Sequence, residues 1–252
     1  MRKLDYFKVK LDIQNFIEKC ISSANAEGVV IGLSGGIDSS VVASLCVNAL
    51  GSERVIGLGL PIESIPQDLE DGKRIAKFLG IKFLVTDLTL IFQEVLKVLP
   101  SDIDKKTMAI ANIKPRLRMT MLYYMGQSLG KYLVVGTGNR SEIAIGYFTK
   151  YGDGGIDLEP IGGLYKCEVR ELAKVLKIPE KIINKPPSAG LYEGQTDEGE
   201  IGLTYDLLDE ILYRIDHFLD LNEFNEKDVK KVIDMMKAAE HKNKMPPIFK
   251  IK

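Results

Sequence analysis

The sequence predicts an α/β fold: a doubly wound parallel sheet followed by a helical C-terminal segment. Three observations carry this. Four short apolar runs, at residues 29–33, 55–60, 83–85 and 133–135, lack strict alternation, as parallel strands buried on both faces do. Segments with a helical period lie between them. The helical stretches 38–50 and 67–79 stop at Gly51 and Gly80, each placed as a helix C-cap. Strands alternating with helices of this length build a sheet with crossovers packed on its faces.

Taken in order, residues 4–26 set Val9, Ile13, Phe16, Ile17, Cys20 and Ile21 at helical spacing. The stretch VVIGLSGGIDSSVVASLCV, residues 29–47, reads as strand, small polar turn and helix. A helix is expected over 114–129, with Pro115 in its first turn. After residue 145 the texture changes: GYFTKYGDGGIDLEPIGGLYK has six glycines between Gly146 and Gly163 and no clear period. A glycine-rich loop of that length in a compact domain is functional or mobile. Helix returns at 167–176. A second polar loop, KPPSAGLYEGQTDEGEIG, is expected to be flexible; helices at 204–219 and 225–240 and the tail HKNKMPPIFKIK follow. There is no internal repeat and no low-complexity tract.

A chain of 252 residues accommodates one large domain, or one with a small appendage. Lys+Arg is 34 and Asp+Glu 35, a net charge of -1, which argues against a protein that coats nucleic acid. No apolar run approaches bilayer length, and MRKLDYFK lacks a secretory apolar region. A cytoplasmic protein with neither nucleic acid nor membrane as partner is expected. The three cysteines, Cys20, Cys46 and Cys167, are far apart and form no CxxC, so they read as reduced core or near-core thiols.

The turn Ser34-Gly35-Gly36-Ile37-Asp38-Ser39-Ser40 offers backbone N–H groups at a helix N-terminus, a ready anion site. The plainer reading is a first turn in which Ser34 and Asp38 only cap the helix. A Walker A loop would place a lysine here to reach the outer phosphates. Instead Asp38 stands near that position with the hydroxyls of Ser34, Ser39 and Ser40 around it, which makes sense if the acid holds Mg²⁺ bridging polyphosphate oxygens. SGGIDS resembles the signature of the PP-loop, or N-type, ATP pyrophosphatase superfamily. The resemblance implies ATP as co-substrate, cleaved between its α- and β-phosphates, with AMP passed to a substrate oxygen. The γ-phosphate is not transferred, so the Walker lysine is not needed.

Four further stretches narrow the resemblance: NIKPRLRMTMLYY, VVGTGNRSEIAIGYFTKYGDGGIDLEPIGGLYK, NKPPSAGLYEGQTDEGEIGLTYD and the late EHK. With the turn they lie in the order found in the NAD synthetase family, from about residue 30 to 242. The resemblance implies a Rossmann-like sheet of the adenine nucleotide alpha hydrolase type with a helical C-terminal part. It implies a homodimer with the substrate site between subunits. It also implies a ligase for the last step of NAD biosynthesis: deamido-NAD, ATP and ammonia give NAD, AMP and pyrophosphate through an adenylated nicotinate. Glutamine-using members carry a nitrilase-type glutaminase domain. Residues 1–252 are expected to form a single domain without one, and to use free ammonia.

Carried over residue by residue, the resemblance assigns ATP to Gly32, Leu33, Ser34, Gly35, Gly36, Ile37, Asp38 and Ser39, and to Thr137, Lys166 and Ser188. Asp38 and Glu142 are the implied magnesium ligands, although Glu142 also reads as a first-turn acid favoured by a helix dipole. Arg116, Lys150, Asp157, His241 and Lys242 match deamido-NAD positions, the last two reaching in from the partner subunit. Asp153 is the candidate for receiving ammonium and removing its proton; its plainer reading is an Asp-Gly turn. Lys166 is the candidate for stabilising charge on the α-phosphate. Asp197 and Glu198 are expected in a loop that closes over the site to exclude water. Asn139 and Arg140 receive no role, and His217 reads as structural. The alternatives are another PP-loop amidating enzyme, such as a GMP synthetase ATPase subunit, or a non-catalytic nucleotide sensor.

Overall fold

Helix α1 (Tyr6–Ala24) begins on Asp5, whose carboxylate accepts the Phe7 and Lys8 N–H groups, and ends at Asn25 in the left-handed region. The computed structural model describes residues 2–102, 106–188, 190 and 194–251. Strand β1 (Gly28–Gly32) leads through the turn into α2 (Ile37–Leu50), then β2 (Val55–Gly59), α3 (Pro66–Leu79) and β3 (Lys82–Val85). Next come α4 (Thr89–Lys97), α5 (Thr107–Ala111), α6 (Ile113–Leu129), β4 (Tyr132–Val135) and α7 (Arg140–Ile145). The chain closes with α8 (Lys166–Val175), α9 (Glu180–Ile183), α10 (Asp197–Ile201), α11 (Tyr205–Asp216) and α12 (Glu226–Ala239).

The four strands are parallel in the order β3-β2-β1-β4. Strands β1 to β3 step one way and β4 lies on the other side of β1, so the order reverses between β1 and β4. Ligands in such sheets bind beyond the carboxyl ends at that reversal. The turn after β1 and the Gly136–Gly138 turn after β4 are both there, brought side by side by the pairing of Ile31 with Val135.

Alternate residues of β1 serve different cores, which explains its unbroken apolar run. Val29 and Ile31 pack with α1, α2 and α8, while Val30 packs with Phe92 of α4 and Leu117 and Met121 of α6. A third core joins Ala144 and Ile145 of α7 to Tyr205, Leu208 and Leu212 of α11 and Val232 of α12.

The expectation of strands buried on both faces fails at β3. It pairs only with β2, and its end residues Lys82 and Val85 are exposed, as an edge strand allows. The second polar loop also departs from expectation. Residues 189 and 191–193 lie outside the described residues, but Gln195 and Asp197 are buried and 197–201 are helical. Thr196 caps that helix by accepting the Gly199 N–H, and a helix this short leaves almost no period to read.

Candidate active site

Three helix N-termini converge at the carboxyl end of the sheet. The first is α2, whose N-cap Gly36 has no side chain to bond the first-turn N–H groups. Those orphan donors stay open to an anion, which counts against Ser34 and Asp38 acting only as caps. The Ser34 hydroxyl instead accepts the Gly36 N–H (3.2 Å) and meets Ser39 (3.1 Å). Ser40 does not surround Asp38 as expected: it is fully buried and donates back to the Gly36 carbonyl (2.7 Å).

The second is α7, where Asn139 and Glu142 form a capping box. Asn139 is fully buried; its carbonyl accepts the Glu142 N–H (3.1 Å) and its amide donates to Asp38 Oδ1 (3.0 Å). A residue left without a role therefore ties the two predicted magnesium ligands together. The signal present in the sequence was the Asn-x-x-Glu spacing itself.

The third is α8, with Lys166 as its first residue. Its ammonium reaches Asp38 Oδ2 at 2.6 Å and Glu142 Oε1 at 3.0 Å, and lies over the Tyr205 ring at 5.0 Å. Burial opposes the lysine charge, but the two carboxylates hold its pKa above the ordinary lysine value. Burial pushes Glu142 up, Lys166 pulls it back and Asp38 pushes it up again, to about 7. Behind Lys166, fully buried Asp209 of α11 accepts the Cys167 N–H (2.8 Å) and the Ser141 hydroxyl, and Ser141 Oγ accepts the Lys166 N–H (2.9 Å). Tyr205 of α11 also places its hydroxyl 3.3 Å from Glu142 and 3.2 Å from Asp197, joining α10 to the site.

Asp38 and Glu142 thus aim hard carboxylate oxygens at one cationic point. Two such ligands with phosphate oxygens suit Mg²⁺, which binds through one or two carboxylates plus substrate. Among the described residues no group of three acid, histidine or cysteine side chains forms a self-sufficient metal site.

A cavity of about 410 Å³ adjoins this centre, lined in part by Thr137, Glu142, Lys150, Asp153, Glu159 and Lys242. Asp153 Oδ1 accepts the Thr149 N–H (2.8 Å), so it shapes the glycine-rich turn and faces the cavity at once. Lys150 donates to the His241 carbonyl (2.6 Å), and Lys242 to the carbonyls of Gly146 and Phe148 (2.7 and 2.8 Å). Lys242, expected from a partner subunit, lines the cavity of its own chain, where the turn after α12 lies against α7. Arg116 is exposed and bonds the Lys150 carbonyl (3.3 Å). The structure does not bring the other predicted contacts to the cavity. Asp157 accepts the Val134 N–H (2.7 Å) and the Tyr123 hydroxyl (3.1 Å), Ser188 donates to the Gln195 carbonyl (2.8 Å), and the His241 ring is exposed.

Glu159 was not anticipated. Its Oε1 accepts the Gly138 N–H (3.1 Å), and burial, with Glu142 and Asp153 nearby, raises it from 4.5 to about 7. The folded state holds this proton more tightly than the unfolded chain, so Glu159 costs stability as pH rises from 4.5 to about 7. Glu159→Gln keeps the acceptor for Gly138 and removes the titration. We expect the variant to be more stable than wild type by roughly 1–2 kcal/mol at about pH 8, after allowing for solvent at the cavity mouth. The difference should close near pH 4, which denaturant titrations at the two pH values will read.

Fold and site together define a nucleotide-binding α/β protein of the PP-loop class, built to hold a polyphosphate without a Walker lysine. The chain belongs to the NAD synthase family, whose model matches residues 9–246. It is 44% identical over 254 residues to the NH(3)-dependent NAD(+) synthetase of Archaeoglobus fulgidus, covering 99% of both chains. With that of Methanococcoides burtonii it shares 49% over 214 residues, 84% of this chain and 81% of the relative. Among solved structures, an NMN synthetase from Francisella tularensis superposes with a TM-score of 0.89 at 33% identity, covering 99% of this chain and all (100%) of the other. The NH3-dependent NAD synthetase of Campylobacter jejuni gives 0.84 at 31% identity, with 98% and 100% covered.

Proposed function

We propose that this chain amidates deamido-NAD with ammonia at the expense of ATP, forming NAD, AMP and pyrophosphate. The observation that carries this is the convergence of Asp38, Glu142 and Lys166 on one point beside the open N-terminus of α2. Oxide is a poor leaving group, so the nicotinate carboxylate must be activated. A carboxylate oxygen bonds to the α-phosphorus as the bond to pyrophosphate breaks. Ammonia then forms the C–N bond, and the acyl C–O bond breaks with its electrons leaving on AMP.

In this reading the α2 N-terminus, with Gly32 through Ser39, grips the departing pyrophosphate, and Lys166 offsets charge developing on the α-phosphate. Asp38 and Glu142 are the proposed ligands of Mg²⁺, which when bound neutralises polyphosphate charge. Asp153, which faces the cavity, receives ammonium and takes the proton that must leave before nitrogen attacks. Thr137 contacts ATP, and Lys150 and Lys242 hold deamido-NAD in the cavity. Arg116, Asp157, His241 and Ser188 fit as substrate contacts only where a second chain or bound nucleotide covers them. A homodimer would supply that cover. Among the described residues no helix is long and apolar enough to cross a membrane.

The test is AMP, pyrophosphate and NAD measured in one tube with MgATP and ammonium, with glutamine tried in its place. Equal amounts of all three, each requiring deamido-NAD, are expected. A second reading comes from the Francisella relative: the acceptor is a mononucleotide. Turnover of nicotinic acid mononucleotide in preference to deamido-NAD would establish it. Neither a GMP synthetase subunit nor a non-catalytic sensor is favoured by the relatives, and ADP and phosphate as products would overturn the adenylation chemistry itself.

A further inference from the structure

Arg118 of α6 takes no part in the chemistry described so far. Its guanidinium is enclosed on most sides, although the residue keeps some solvent contact. Nε donates to the Leu60 carbonyl at 3.0 Å and Nη2 to the Ser64 hydroxyl at 3.3 Å. Both acceptors are neutral, and among the described residues no carboxylate is in ion-pair contact with it. Asp153 and Asp68 favour its charge only from further away, so burial dominates and lowers its pKa.

A guanidinium has five N–H donors in a planar fork suited to a carboxylate or phosphate. Enclosing one without a counter-ion is costly, so a neutral side chain would serve the unliganded fold better. The position explains the cost. Leu60 follows β2 at the carboxyl end of the sheet. On one side Asp68 of α3 packs its carbonyl against Gly35 of the phosphate turn; on the other, Asp153 lines the cavity. The guanidinium therefore stands between the expected stations of ATP and deamido-NAD.

We propose that Arg118 binds an oxyanion of the reacting nucleotides, a phosphate or carboxylate, and gains its counter-charge only when substrate is present. This rests on the adenylation site proposed above. The oxyanion has two possible sources, and separate binding measurements distinguish them.

The experiment compares wild type with Arg118→Gln, Arg118→Lys and Ser64→Ala. Thermal unfolding is followed without ligand, with a magnesium complex of a non-hydrolysable ATP analogue, and with deamido-NAD; NAD formation is measured alongside. Without ligand, Arg118→Gln should unfold at the wild-type temperature or above it, because an uncompensated charge has gone. It should lose most of the upward shift produced by whichever nucleotide supplies the oxyanion, and kcat/KM for that nucleotide should fall about 100-fold or more. Arg118→Lys keeps the charge but not the fork and should recover no more than about a tenth of the loss. Ser64→Ala should stay within about two-fold of wild type.

Lower stability or failure to fold in Arg118→Gln, with Arg118→Lys keeping full ligand shifts and activity, would overturn the proposal. The guanidinium would then serve only to tie residues 60–64 to α6. A wild type that binds these nucleotides yet makes no NAD would count against the reaction instead, while the binding arms would still decide the role of Arg118.

Discussion

Lys166→Met is expected to abolish NAD formation, with kcat lowered by roughly 10³-fold or more. Lys166 is only 3% exposed and is the shared counter-ion of Asp38 and Glu142. Methionine fills much of the volume and keeps a contact with the Tyr205 ring, so packing loss is small beside charge loss. The two carboxylates are left facing each other without their cation, a change that costs about 3–5 kcal/mol when one partner of a buried pair is removed. The signs make the test specific. Magnesium chloride should raise the unfolding temperature of the variant more than that of wild type, because a divalent cation can occupy the point the ammonium held. Unfolding scans with and without magnesium, plus AMP release, check it. A variant that adenylates at near wild-type rate would show that the converging carboxylates and lysine are structural.

Gly35→Ala is expected to have the next largest effect, and it acts through the backbone. Gly35 sits at φ +75°, where an L side chain is strained, and a Cβ there would run into the Asp68 carbonyl and come within 2.9 Å of Asp71 Cβ. The neighbours cannot yield cheaply. Asp71 is buried, and Lys185 links the Gly35 carbonyl (3.3 Å), Asp68 (2.8 Å) and Asp71 (3.1 Å) into one unit. The turn should move instead, tilting its N–H groups off the phosphates. We expect kcat/KM for ATP to fall about 10²–10³-fold, with about 2–3 kcal/mol of stability lost. Gly51→Ala is the control. Gly51 also has a positive φ, +84°, but a Cβ there meets nothing within 4 Å. It should lose about 1–2 kcal/mol and keep full activity. Equal activity losses in the two variants would mean that strain alone, not the position of the phosphate turn, is being measured.

Much of this molecule is legible because its signals are local. A run such as VVIG followed by a glycine turn and a helical period specifies strand, turn and helix within some twenty residues, and Gly80 stops α3 in the left-handed conformation as placed. Short elements escape this reading: α5 and α10, five residues each, are too short to show a period, and only α10 has a side-chain cap, Thr196. The site divides the same way. Asp38 is readable because an acid replaces a lysine in a phosphate turn. Asn139 is not, because its value lies in reaching Asp38 across 101 positions of sequence while capping its own helix.

The layered parallel sheet, the lysine-free phosphate turn and the family are legible from residue type and short-range spacing alone. The exposed edge at β3, the reach of Lys242 to the Gly146 and Phe148 carbonyls, the Glu159 contact with the Gly138 N–H and the Arg118 contact with the Leu60 carbonyl appear only once the chain is folded. Those properties come from which faces the chain brings together and how much water it excludes there. Charge partners, pKa shifts and cavities are set by distances between residues far apart in sequence, and no local pattern encodes them.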